Sequence, residues 1–409
     1  MTLLKLKQDA SKPVLPIGAA VRTIAVVGSE ANSSHLSIDR YTGRPDAAHI
    51  TTFLQGIAAR AGQKVKIVTC ENSLPSCADY LRKTYSLDLL LVATTGHAEG
   101  EQHDRAALGL KVAELKLLQA LHAQLPAVPK VLVVVAGGAV DTSSAEPMVA
   151  ASIWAGKGGM QGEDDAVAAP VAARVAPPAA AARAARADVS PQAGAGLASL
   201  LFGDREFTGR ISQTVYKDAW TKAVEFTHTQ ISGDGAGPGR GYRYNIKPEL
   251  VQYAFGHGLS YHRYRTKFAH PNYKISAAEL TAGETVSIGA SLTLSPSLSG
   301  GAAAPAEGAR SVLLFIAANT EAMSLGLPVR KQWLGAFDKL QSIPVPAEPT
   351  AQTTADLTLK LGADALSRWV PASGDPASQQ MTEGKYMLAK GKYTLRLSDG
   401  AATATLELV

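Results

Sequence analysis

Glu99-Gly-Glu-Gln-His-Asp-Arg105 gathers three carboxylates, an imidazole and a guanidinium within seven residues, just after an apolar run at 87–93. A polar loop at the end of a buried strand is where an α/β domain usually presents its chemistry. On local chemistry alone this stretch is a candidate active site. His97 and His103 bracket the glutamates and raise the question of a metal, but their spacing fits no recognised ligand pattern and no cysteine is near. No metal and no cofactor are expected.

The flanking sequence supplies the elements that must hold such a loop. Arg22-Thr-Ile-Ala-Val-Val-Gly28 is a short β-branched run closed by glycine and predicts a central parallel strand. A helix is predicted over 51–59 with Thr51 or Thr52 as its cap. Further strands are predicted at 65–69, 87–93, 131–135 and 151–154. Val112, Leu115, Leu118, Leu121 and Leu125 recur at helical spacing, so a helix with one buried stripe should follow the polar loop. Strands alternating with helices imply an α/β sandwich domain with a mostly parallel sheet and flanking helices. Gly28 opens no nucleotide loop, because the later glycines of the dinucleotide fingerprint are missing; it reads as a turn glycine at the sheet's C-terminal edge.

Composition frames the rest. The chain has 409 residues, 46% hydrophobic and 18% charged, with a formal charge of +5. That length suggests two or three domains, and the scattered lysines and arginines give nucleic-acid binding no support. Cys70 and Cys77 are the only cysteines and read as free, partly buried thiols. The opening residues are too weakly apolar for a signal peptide and no run reaches membrane-spanning length, so cytoplasm or an organelle matrix is the expected location. Residues 1–20 read as an irregular lead-in and 21–265 as the α/β domain. An Ala/Pro-rich insertion at about 162–194 interrupts that domain, with a short helix conceivable over 179–187. From 270 to 409 short alternating stretches at 285–294, 311–317, 356–361 and 393–397 predict an antiparallel sandwich. Trp154, Trp220, Trp333 and Trp369 read as packing residues, and no exposed aromatic platform for a sugar is evident.

Several motifs, in order, resemble the C-terminal half of glycoside hydrolase family 3, in particular its plant-type β-xylosidase/α-arabinofuranosidase branch. They include Ile24-Ala-Val-Val-Gly28, Tyr41-Thr-Gly-Arg-Pro45, Thr51-Thr-Phe-Leu-Gln-Gly56, the loop with Glu101 and Asp104-Arg105, and Ile153-Trp-Ala-Gly156. Leu201-Phe-Gly-Asp204, Gly209-Arg210, Pro238-Gly-Arg-Gly-Tyr-Arg-Tyr244 and Phe255-Gly-His-Gly-Leu-Ser-Tyr261 follow, then Arg330-Lys-Gln-Trp-Leu-Gly-Ala-Phe337. The resemblance implies an α/β sandwich followed by an immunoglobulin-like, fibronectin type III-like sandwich. It implies that Glu101 is the acid/base, with Glu99 in reserve, and that Asp104 and Arg105 brace the loop, the arginine through its rigid fork.

In that family an N-terminal barrel supplies the nucleophile, and no segment of this sequence resembles it. Retaining hydrolysis needs two carboxyls about 5–5.5 Å apart across the scissile bond, and a lone acid/base does not replace a nucleophile on another domain. The sequence also departs from the family where Ala106-Ala-Leu-Gly-Leu110 lacks the usual Leu-Pro-Gly turn, across the Ala/Pro insertion, and at 294–301. The expectation is therefore a non-catalytic structural or accessory subunit of a larger assembly, bound to other protein chains through the surface that faced the barrel. The alternatives are the acid/base-donating half of a split or truncated β-xylosidase/α-arabinofuranosidase, working with a barrel-domain chain, or a carbohydrate-binding module.

Overall fold

The apolar runs become a six-stranded sheet in the computed structural model. It describes every residue except 8–13, 35–49, 71–75, 97–104, 157–192, 226, 228–230, 233–236, 246, 297–303, 319–329, 349 and 372–383. Two compact units form, one from Met1–Gly209 with Val215–Asp218, the other from Arg210–Thr214, Ala219–Leu298 and Ala306–Val409.

In the first unit, β1 (Thr2–Leu6), β2 (Thr23–Val27), β3 (Lys66–Val68), β4 (Leu89–Thr95), β5 (Lys130–Val135) and β6 (Ala151–Trp154) lie in the order β1-β6-β5-β4-β2-β3. All neighbours are parallel except β1, which runs antiparallel along β6 with Leu3 opposite Ile153. The lead-in thus contains an edge strand rather than only irregular chain. Leu3 and Leu4 are too few to announce a strand alone, and pairing with β6 decides their conformation.

Alternate residues of the strands are buried on opposite faces. Ala25, Val27, Leu90, Val92, Leu132 and Val134 share a core with Cys77, Ala78 and Leu81 of α2 (Ser76–Thr84) and with Leu117, Leu118 and Leu121 of α3 (Val112–Gln124). Ile24, Val26, Leu89, Leu91, Val131 and Val133 are equally buried. The sheet is therefore covered on both sides, as continuous rather than alternating hydrophobicity requires. The stripe of α3 is Glu114, Leu117, Leu118 and Leu121, whereas Val112 is 62% exposed. The helix is rotated from the expected face because the adjacent Leu117-Leu118 pair, with Leu121, meets the sheet.

Thr52 caps α1 (Phe53–Ala61) with a capping box: its hydroxyl accepts from Gln55 N while the Gln55 side chain accepts from Thr52 N. α1 crosses α4 (Ala193–Leu201) at backbone contact; a Cβ on Gly56 would sit 2.1 Å from the Gly194 carbonyl carbon. The expected helix over 179–187 and most of the Ala/Pro insertion lie outside the described residues.

Cys70 and Cys77 are linked, with Cα atoms 5.8 Å apart. The expectation of two free thiols is corrected: Cys70 lies two residues past β3 and Cys77 in the first turn of α2, and the sheet–helix packing sets them at bridging distance.

The second unit is β-rich. β7 (Arg263–Phe268), β9 (Val286–Ser295) and β12 (Thr353–Leu361) form one sheet in the order β12-β9-β7. β8 (Asn272–Ile275), β10 (Glu307–Ala318), β11 (Trp333–Pro344), β15 (Gly391–Leu397) and β16 (Thr403–Leu408) form another in the order β8-β16-β15-β10-β11. Leu292 and Leu359 from the first sheet and Leu314, Leu395 and Leu406 from the second enclose one core. β13 (Ser367–Pro371) and β14 (Gly384–Leu388) make a separate hairpin. There Trp369 is 36% exposed, facing Tyr386 with ring centroids 5.3 Å apart, so it is a surface aromatic and not a core residue.

Arg210 and Arg310 converge on Asp399, a left-handed turn residue with φ 60°. Arg310 makes the forked contact, Nη2 to Oδ1 at 2.7 Å and Nε to Oδ2 at 3.0 Å. Burial favours the neutral acid, but the two guanidiniums, Arg310 foremost, hold the Asp399 carboxyl below the usual carboxylate range. Among the described residues no helix is long and apolar enough to cross a membrane, which leaves β-barrel spans unaddressed.

Candidate functional site

The C-terminal edge of the parallel strands β2, β4 and β5 is where the sequence puts its chemistry. β2 ends at Gly28, whose φ of 102° and close approach to Ala93 exclude a side chain: a Cβ there would lie 2.2 Å from the Ala93 carbonyl oxygen. The turn lets Glu30 N donate to Ala93 O at 3.1 Å, bringing Glu30 beside the end of β4. Burial pushes the Glu30 carboxyl up, opposed chiefly by Lys111, while the nearby Glu114 carboxylate adds to the rise. Glu114, in the first turn of α3, is only 4% exposed, and its Oε2 has no hydrogen-bond partner among the described residues.

β4 leads into 97–104. Glu99, Glu101 and Asp104, with His97 and His103, therefore lie outside the described residues, as do Tyr41–Pro45. Arg105 is described. It is half-buried, and its Nη1 would lie 3.4 Å from a Cβ placed on Gly96. The two ends of the segment are drawn together by an antiparallel bridge between Gly96 and Leu110, and a parallel bridge joins Gly109 to Asp141. Leu108 is held from both sides: its N–H donates to Asp218 Oδ1 at 2.8 Å, and its carbonyl accepts from Asp141 N at 2.8 Å. Asp141 in turn accepts from Asp218 N at 2.7 Å and from Ser143 N at 2.8 Å, and also from the Ser143 hydroxyl. The result is a closed neck that ties Gly96 and Leu108–Leu110 to Asp141 and Asp218.

Asp141, Asp218, Glu30 and Glu114 were not singled out from sequence. Only Asp141 carried a local signal, since an aspartate followed two residues later by serine, just past a strand and a Gly-Gly pair, is an Asx-turn pattern. Buried ionisable groups occur elsewhere too: Glu206 is 7% exposed in the first unit, and His262 is 4% exposed in the second. Among the described residues no three His, Cys, Asp or Glu side chains are grouped to hold a metal ion.

The glycosyl hydrolase family 3 C-terminal domain matches residues 1–261. The chain belongs to this family. Among curated relatives, beta-D-xylosidase 1 of Arabidopsis thaliana is 28% identical over 267 residues, covering 64% of this chain and 29% of that protein. The protein described as "Probable exo-1,4-beta-xylosidase xlnD" of Aspergillus aculeatus is 23% identical over 413 residues, covering 97% of this chain and 45% of its own length. The solved GH3 exo-beta-xylosidase XlnD, in complex with a xylobiose aziridine activity-based probe, superposes with a TM-score of 0.70 at 18% identity, spanning all of this chain and 47% of that one. This chain thus spans less than half the length of these relatives, and the part it matches is their C-terminal half. The family membership stands, while the plant-type branch is not singled out, because fungal xylosidases and bacterial glucosidases share the fold.

Proposed function

We propose that this chain supplies the acid/base side of a retaining β-xylosidase/α-arabinofuranosidase active site, with the nucleophile provided by a barrel on a longer form of the chain or on a separate one. The observation that supports the reading is the closed neck at Gly96 and Leu110, which flank Glu101 in sequence, in a chain matching the family over 1–261. A loop kept only as a relic needs no such framework. The purely structural or accessory role expected from sequence is therefore the weaker reading, although contact with a barrel through this edge is common to both.

In this scheme Glu101 protonates the leaving oxygen and later deprotonates the attacking water, as a retaining mechanism requires. Glu99 stands in reserve, and Asp104 and Arg105 brace the segment. The family match ending at 261 supports a division of the sequence near 265–270. The two sheets around one core support reading 270–409 as the fibronectin type III-like domain. As to location, the Cys70–Cys77 linkage fits an oxidising compartment better than a cytoplasm or organelle matrix.

The test is to mix the chain with a family 3 barrel domain and assay aryl β-xyloside and α-arabinofuranoside. Hydrolysis with retained configuration is expected only in the mixture, and Glu101→Gln should lower it by about 10²–10⁴-fold for poor leaving groups. Unchanged rates in Glu101→Gln, with Glu99→Gln inactive, would transfer the role to Glu99; unchanged rates in both would remove the catalytic reading.

A further inference from the structure

We propose that Arg330 and Asn245, backed by the charge of Arg368, form a binding site for a small oxyanion, a carboxylate or a phosphate, within the second unit. The short helix Gly241–Tyr244 lies against the start of β11. There Lys331 N donates to Arg243 O at 2.6 Å, and Leu334 N donates to the Tyr242 hydroxyl at 3.2 Å. These two bonds run antiparallel, which puts Asn245 on the Arg330 side of the contact. Arg368, on β13, joins the group: its electrostatic neighbours among the described residues are Arg330, Tyr244 and Tyr393.

The charges here do not balance among the described residues. Burial, and then the charge of Arg330, hold the Arg368 guanidinium below the usual arginine range. None of the described groups that act on Arg368 is a carboxylate. Tyr393 supplies no negative charge, because burial pushes its phenol up to about 12 and its hydroxyl donates to Ala389 O. The contrast is with Arg210 and Arg310, which converge on Asp399.

Donors are left over as well as charge. The Arg330 guanidinium carbon lies 5.8 Å from the centre of the Trp333 ring, and that indole is fixed by donating from Nε1 to Ala365 O at 2.7 Å. Stacking covers one face of a guanidinium and leaves its N–H groups to donate in the plane, the geometry that suits an oxyanion. Arg330 Nε is buried and has no acceptor among the described residues. Asn245 is only 6% exposed, and its Oδ1 accepts from Lys247 N at 2.7 Å. That bond fixes which way the amide points and leaves Nδ2 as a second buried donor with no acceptor among the described residues. Buried donors beside two like charges lower stability. A ligand that only accepts hydrogen bonds and carries negative charge offsets both costs at once.

The experiment melts the full chain in a chloride buffer and during titration with sodium glucuronate or sodium phosphate, each against sodium chloride of equal ionic strength. At about a hundredfold over its Kd, an oxyanion should raise Tm by about 5 °C or more. A rise with glucuronate alone assigns the site to carboxylates, and a rise with phosphate alone assigns it to phosphates. No rise beyond the chloride control with either overturns the proposal. Two variants locate the effect. Asn245→Asp keeps the acceptor for Lys247 N and builds a carboxylate into the site, so it should melt above the parent in chloride and bind the added oxyanion about tenfold or more weakly. Arg330→Met removes one of the two like charges while keeping an apolar stem; it should melt no lower than the parent in chloride and lose the oxyanion response. A parent-like response in both variants overturns the proposal by placing the anion elsewhere. A lower Tm for both variants in chloride also overturns it, since that result reports a guanidinium already neutralised within the chain.

Discussion

Glu30 couples the candidate site to stability through its proton. Its carboxyl is pushed above the ordinary value of 4.5 by burial, with Lys111 opposing and Glu114 reinforcing the shift. The folded state therefore holds this proton more tightly than the unfolded chain. The resulting stabilisation is complete below pH 4.5 and is lost as pH rises through the folded value. Glu30→Gln should flatten that limb of the stability curve, measured by denaturant unfolding at a series of pH values; an unaltered slope would show that Glu30 titrates normally. Sequence legibility at this scale was uneven. Arg105 was found through its motif, and it sits against Gly96 at the neck. Arg210 was found through its Gly-Arg pair, but the partner Asp399 is 189 residues away in a turn, and nothing local announces such a contact. The cysteines were read by composition, yet pairing depends on where β3 hands over to α2, which composition does not encode.

Elements were legible wherever a local pattern was strong enough to outlast its surroundings. The runs at 22–28, 87–93 and 131–135 became β2, β4 and β5, and Thr52 capped α1 as its type and position suggested. β1 was missed because only its partner β6 makes it a strand. In the second unit, β7 was passed over although its exposed–buried alternation runs through all six residues, with Tyr264, Thr266 and Phe268 inward. Its exposed Arg263, Arg265 and Lys267 interrupt the apolar signal, so the run lies unmarked between the two expected domains. The α1–α4 crossing shows why tertiary contact overrides propensity. Gly→Ala in an exposed helix gains roughly 1 kcal/mol. At Gly56 the added methyl would lie 2.1 Å from the Gly194 backbone, where overpacking costs about 1–3 kcal/mol or more. Gly56→Ala should thus lower stability by about 2 kcal/mol net, read by chemical denaturation, and a stabilised variant would mean that the two helices separate freely.

At the scale of the molecule, the chain matches the C-terminal half of longer family members, spanning 45% of the Aspergillus protein and 47% of the solved XlnD structure. On one side its sheet ends at Thr2–Leu6, since β1 is the outermost strand beside β6. That arrangement makes five residues a hygienic device as well as a structural one. Stripped of them, β6 would offer a bare row of amides and carbonyls, bordered by the pocket that Leu3 and Leu4 had filled. Removing residues 1–7 should therefore convert the protein into a self-adhesive one, seen as concentration-dependent growth in light scattering, while a species that stays monodisperse would show that another part of the chain shields the seam. Any chain joined upstream would enter the fold through that outermost strand, beside β6.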